Sequence, residues 1–401
     1  MANHEFTDKW KSGEAFVHQL AFDTFMIDWC YPNPKLPDGK ELCDLLVVFD
    51  DKAIICQIEN LKLKEWIAHN WKDVEKNLSQ VAWANRQLFD LKTLIVLENS
   101  RRGKETFDPK KINRIINISI LLWEEPLMPT SIYEEYKQNR IHVFDEPFSK
   151  IIFEELNTIS DFVQYLVDEE SFFDAIEKER TPLMIWGGEE NLLSYYLLND
   201  RSFESLINPK SWKPTMILVD GTLWEHIDSQ DWYKQKKKDD EISFVWDNII
   251  DCTHECWPWY EIIAQILAYE NRFTRRILSK TYIDAHQFFA KDKEHNINVR
   301  YLASQDRSYV FLFTSWFSEQ AYKNALQIHC EYAKLQFPQN NKIIWIHADK
   351  DPMDNSKYAF CYLEIDEFAE EQKQKIFENR KMTGNIPIWW KREIHEIEYN
   401  R

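Results

Sequence analysis

The stretch Gly39-Lys40-Glu41-Leu42-Cys43-Asp44-Leu45-Leu46-Val47-Val48-Phe49-Asp50-Asp51-Lys52-Ala53-Ile54-Ile55-Cys56-Gln57-Ile58-Glu59-Asn60 decides how this chain is read. Two apolar runs flank the acidic pair Asp50-Asp51, the pattern of two strands joined by a tight turn. Polar side chains break those runs at Asp44, Gln57 and Glu59. Strand side chains alternate between faces, so Asp44, Leu46 and Val48 share one side. With Asp50-Asp51 as a two-residue turn, Asp44 stands opposite Gln57 and Glu59 lies one diagonal step away. Polar groups on a buried hairpin are costly unless something satisfies them. A hydrated divalent cation held by Asp44 and Glu59 would do so.

Bulk composition narrows the class. A chain of 401 residues suggests two or three domains, each able to bury a core. Hydrophobic residues make up 44% and the chain has 17 Trp, which reads as globular rather than disordered. Glycine is scarce, with 7 residues, and no Walker or Rossmann phosphate loop occurs. The formal net charge of −18 argues against indiscriminate binding along nucleic acid, so such contact would need a local basic face. Met1-Ala2-Asn3-His4-Glu5 shows no basic-then-apolar signal, and no apolar run approaches membrane-spanning length. The 7 cysteines, two of them inside the hairpin, read as reduced thiols. A cytoplasmic protein with no membrane association is the expectation.

Outward from the hairpin, residues 12–29 carry apolar positions at helical spacing behind Ser12 as a cap, with Tyr31-Pro32-Asn33-Pro34 as the stop. After the hairpin comes an amphipathic segment from about Trp66 to Leu88, a strand at Thr93–Leu97 and a β-branched run at Ile115–Trp123. Helix, hairpin, helix, strand, strand predicts a compact α/β core over residues 1–150, closed by a polar stretch at 126–150. Residues 151–401 read as a second α/β domain. It has helices near 159–176, 255–267 and 318–335, and strands near 183–186, 215–219, 309–313 and 342–347. No internal repeat is visible.

A helix bearing Glu14, a hairpin bearing Asp44 and Gln57-Ile58-Glu59, then a helix and a further strand resembles the PD-(D/E)XK nuclease superfamily, whose restriction-endonuclease-like fold has an αβββαβ core. The resemblance covers about the first third of the chain and rests on about four polar residues. It implies that Asp44 and Glu59 hold Mg²⁺ or Mn²⁺, with Glu14 and Glu41 as accessory carboxylates. Gln57 stands where the family has an acid and Glu59 where it has a lysine. The glutamine offers one neutral carbonyl oxygen, a weaker ligand for a hard cation. Lys62 and Lys64, just beyond the strand, are candidates for a relocated cation, Lys62 foremost.

Clustered carboxylates suit phosphodiester hydrolysis, since the ions they bind lower the pKa of bound water and offset phosphate charge. Arg101, Arg102, Lys104, Lys110 and Lys111 form a basic loop of the kind that contacts a phosphate backbone; a solvated loop explains the same charges about as well. The resemblance implies an endonuclease acting on nucleic acid, DNA ahead of RNA, in defence or repair. The alternative is a catalytically inactive nuclease fold that binds nucleic acid or protein; homodimerisation is left open.

Elsewhere, Cys252-Thr253-His254-Glu255-Cys256 has zinc-type ligands spaced too tightly for a standard site, so structural thiols are the better reading. Gly187-Gly188-Glu189-Glu190 reads as a capped helix start rather than an anion loop. No G-x-S-x-G motif supports a serine triad.

Overall fold

The computed structural model describes residues 2–61, 71–122, 133–207, 216–255, 261–292, 294, 297–304, 306–314, 319–349, 358–382, 388–390 and 398. The chain divides into two compact units, Met1–Gln230 and Asp231–Arg401. The boundary expected near residue 150 falls inside a helix of the first unit.

In the first unit, helix α1 (Ala2–Phe25) leads through a short 3₁₀ turn into strands β1 (Cys30–Pro32), β2 (Leu45–Phe49) and β3 (Lys52–Asn60). Helix α2 (Trp71–Asn85) follows, then a separate hairpin of β4 (Ile95–Asn99) and β5 (Gly103–Phe107). Next come β6 (Arg114–Leu122), β7 (Tyr133–Tyr136) and β8 (Asn139–Asp145), then α3 (Glu146–Glu155) and α4 (Ile159–Glu179). The main sheet has the order β1-β2-β3-β6-β8-β7. The pairs β1–β2 and β2–β3 are antiparallel, β3–β6 and β6–β8 parallel, and β7–β8 antiparallel. The unit ends with β9 (Leu183–Ile185), α5 (Glu190–Leu198), α6 (Glu204–Ile207), β10 (Ile217–Val219) and α7 (Leu223–Ser229), where β9 and β10 form a small parallel pair.

The hairpin takes the expected register. Phe49 pairs with Lys52 and Leu45 with Cys56, so continuing the ladder sets Asp44 opposite Gln57. Asp50 takes a left-handed backbone conformation (φ 54°), which aspartate tolerates better than most residues. Leu46 and Ile55 pack with Val74, Leu78, Val81, Ala84 and Leu88 of α2 in one core, so α2 covers that face.

Three sequence expectations change. The first helix begins at Ala2, leaving Ser12 inside it rather than at its cap, and ends at Phe25, where Met26 turns to φ 65°. Thr93–Leu97 contributes to the detached β4–β5 hairpin, not to the main sheet. The stretch read as a polar separator holds β8, a strand inside the main sheet, and β7 at its edge.

The second unit carries α8 (Asp231–Asp240), α9 (Phe244–Glu255), α10 (Glu261–Ala268) and α11 (Arg272–Lys291) ahead of β11 (Ile297–Ser304) and β12 (Arg307–Thr314). Then follow α12 (Glu319–Gln336), β13 (Lys342–Asp349), β14 (Ala359–Glu364), α13 (Glu370–Met382) and β15 (Ile388–Trp390). The sheet order is β14-β13-β12-β11-β15. Trp246 and Tyr282 pack edge-on against Tyr309 and Phe311. On the other face, Cys330 and Ala333 of α12 join Val310, Leu312 and Trp345. Helix, antiparallel hairpin, helix and a strand parallel to the hairpin's second strand recur in both units. The sequence shows no repeat because what the units share is an order of elements, not residues. Among the described residues no helix is long and apolar enough to cross a membrane.

Candidate functional site

The carboxyl of Asp44 is 2% exposed, just ahead of β2. Its Oδ2 accepts the backbone N–H of Ile58 at 2.5 Å. Its own carbonyl accepts from the backbone N–H of Asn33 at 2.9 Å and faces Nε2 of His18 at 3.0 Å. Burial lowers the His18 pKa, so the neutral ring with its proton on Nε2 donates that bond.

Helix α1 delivers two of these groups. Gly13 lets it approach closely: a Cβ there would meet Asn60 Oδ1 and Leu122 Cδ1, each at 2.9 Å. The helix therefore crosses the C-terminal ends of β3 and β6, and places Glu14 and, one turn later, His18 beside Asp44. Burial lifts the Asp44 carboxyl to about 8, helped by the negative charges of Glu14 and Glu41 and by a side-chain hydrogen bond with Glu41, while the Ile58 N–H works the other way. Of the expected carboxylates, then, Glu14 and Glu41 both act on Asp44 through their charges.

Glu59 is engaged by a lysine. Its Oε2 takes the ammonium of Lys76, from α2, at 3.3 Å, and its side chain is 12% exposed. Gln57 is buried on β3, and its register partner on β6 is Ser119. Ser119 donates to Asn77 of α2 at 2.6 Å, both side chains being fully buried. Lys62 and Lys64 lie outside the described residues. Lys76 had no signal in the sequence, since only the register of α2 over β3 brings it to Glu59.

The basic loop is largely occupied. Arg101 pairs with the fully buried Asp28 at 3.1 Å. Arg102 pairs with Glu105 at 2.8 Å and also reaches the Asp28 carbonyl. Lys104 faces Glu98 across the β4–β5 hairpin at 3.6 Å. Lys110 and Lys111 are exposed on a turn capped by Asp108. This loop lies at the turn end of the β2–β3 hairpin: Asn113 and Arg114 bond the Asp51 carbonyl, and Trp29 beside Asp28 packs on Phe49. At about 3.3 Å per residue, that end is roughly 20 Å from Glu59. The basic loop therefore lies at the far end of the hairpin from Glu59, and one of its counter-ions, Asp28, comes from distant sequence.

Among the described residues, no group of three or more His, Cys, Asp and Glu side chains is placed to hold a metal ion. Two carboxylates suffice for Mg²⁺, which keeps several waters and binds through one or two acids plus substrate phosphate. Asp44 and Glu41 interact electrostatically and offer only oxygen ligands, so they fit that role. The six described cysteines are free thiols, and Cys256 lies outside the described residues. Glu190, the first residue of α5, accepts the Gly188 N–H at 3.0 Å ahead of the helix, whose N-cap residue, Glu189, makes no side-chain capping bond.

Compared with protein-family models, with curated proteins and with solved structures, the chain matches none.

Proposed function

We propose that the first unit is a Mg²⁺-dependent phosphodiesterase of restriction-endonuclease-like type, acting on nucleic acid, with DNA the favoured substrate. The observation that carries this reading is the burial of the Asp44 carboxyl under the lesser influence of the Glu14 and Glu41 charges, which together keep it protonated near neutral pH. Such a group is costly in the folded state unless a cation offsets it. Apart from the detached β4–β5 hairpin between α2 and β6, the order α1–β1–β2–β3–α2–β6, with β6 parallel to β3, supports the αβββαβ reading. Bound there, Mg²⁺ would lower the pKa of its water and offset phosphate charge. Asp44 and Glu41 would hold it, and His18 and the Ile58 N–H keep Asp44 in place.

Gln57 and the Lys76–Glu59 pair favour a second reading, a nuclease-like fold that binds nucleic acid or protein without cutting. Thermal melting with and without Mn²⁺ separates the two. The enzyme reading expects a metal-dependent rise in Tm for the wild type and none for Asp44→Asn. Equal melting curves for both proteins would refute it.

A further inference from the structure

We propose that the outer face of the β9–β10 pair is a docking site for an amphipathic helix of another protein, one that carries basic residues beside its apolar stripe. Met184 pairs with Leu218 across the two parallel strands. Alternation puts Trp186 and Met216 on the same side, and all four side chains are 47–61% exposed. The opposite side packs inward: Ile217 and Val219 are buried, and Leu183 and Ile185 are partly so. Single exposed apolar side chains are ordinary, but four large ones in a contiguous block mark an interaction surface. Polar residues at these positions would satisfy the strand pattern equally well, so the fold does not require the block.

The charge around the face selects the partner. Continuing the register sets Asp220 opposite Trp186 at one end. Asp220 is exposed and accepts the backbone N–H and the hydroxyl of Thr222, both at 2.9 Å, which holds it ionised. A cation seated there meets a carboxylate and an indole face together. Residues 183–229 hold seven Asp and Glu against three Lys and Arg, and one of those three, Arg201, pairs with Asp161. On a chain of net charge −18, that excess opposes a second copy and favours a basic partner. The spacing suits a helix. Residues two apart on a strand are about 6.8 Å apart, and residues four apart on a helix rise about 6 Å. The face is also held in place. Asn191 donates to the Trp186 carbonyl at 3.4 Å and accepts the Trp224 N–H at 3.1 Å. A Cβ on Gly221 would meet that carbonyl at 2.8 Å, so the chain closes tightly behind Trp186. A preformed surface binds at a lower ordering cost.

The probe is a fluorescein-labelled helical peptide of Leu and Lys, about 18 residues long with its leucines on one face, titrated with the full chain and followed by anisotropy. The proposal expects saturable binding by the wild type, weakened at least about tenfold in Leu218→Ser and in Met184→Ser. Asp220→Asn should bind about threefold more weakly, with a shallower salt dependence. Val96→Ser, at an exposed position of the β4–β5 hairpin, should bind like the wild type. All four changes are at exposed positions and should leave the urea midpoint in place. A peptide of the same composition with its leucines scattered should bind at least about tenfold less tightly. No binding by the wild type overturns the proposal. Equal binding of the two peptides, or of wild type and Leu218→Ser, does so too, because charge alone then holds the peptide. A wild-type dimer in sedimentation velocity that Leu218→Ser dissociates would also overturn it, since the occupant is then a second copy.

Discussion

Asp44 and Ile58 are joined across the open end of the β2–β3 hairpin, where the backbone N–H of Ile58 meets Asp44 Oδ2 at 2.5 Å. That bond aims a buried acid toward Glu14 and Glu41 instead of into solvent. One hydrogen bond does not offset the burial, and the carboxyl rises to about 8.

The metal-free fold should therefore gain stability when this acid is removed. In EDTA, the folded protein keeps a proton on Asp44 that the unfolded chain releases above about pH 4. Stability is then full at low pH and lost progressively as pH rises toward about 8. Asp44→Asn still accepts the Ile58 N–H and carries no such proton. Urea unfolding should show it more stable by about 2 kcal/mol at neutral pH, with the gain vanishing near pH 4.

A second buried cluster gives stability a pH dependence of the same sign. His142 on β8 is fully buried, with Nδ1 2.8 Å from Glu169 and Nε2 3.3 Å from Glu170. Burial alone would lower its pKa, but the two carboxylates raise it. Arg114 also pairs with Glu170, and Tyr165 donates to Glu169 at 3.3 Å. Burial, then the charge of Glu169, pushes the Glu189 carboxyl well up. Both groups hold protons that the unfolded chain releases, so stability falls as pH rises, from about pH 4 for Glu189 and about pH 6.5 for His142. Glu189→Gln should flatten the urea midpoint against pH. A midpoint that climbs with pH above about 7 in the wild type would contradict this account.

Arg101 is expected to matter for folding rather than for ligand binding. Its guanidinium faces Asp28, whose side chain is fully buried. Arg101→Ala removes this ion pair to a buried carboxylate, at a cost of about 2–3 kcal/mol in chemical denaturation. Lys110→Gln and Lys111→Gln, both exposed, should leave the denaturation midpoint unchanged. If Arg101→Ala weakens DNA binding with no change in stability, the structural assignment is wrong.

The sequence made the hairpin legible because its alternation and its acidic turn are local signals. Register followed from them, and so did the opposition of Asp44 and Gln57. Glu14 and Glu41 were also legible as carboxylates near that hairpin. What stayed hidden depends on distant partners. β8 reads as polar because His142 interrupts it, and the acids that make His142 buriable come from α4, 27 and 28 residues on. The basic loop looked free because Asp28, its counter-ion, is 73 residues away in sequence. Lys76 looked like an ordinary exposed helix lysine until the Asn77–Ser119 bond fixed the helix over β3.

The most direct test of the central claim is Mg²⁺-dependent cleavage of plasmid, linear duplex and single-stranded DNA by the wild type beside Asp44→Asn at neutral pH. The account predicts cutting of at least one of these by the wild type, abolished by EDTA and lost in Asp44→Asn. No cutting by the wild type, or equal cutting by the two proteins, would contradict it.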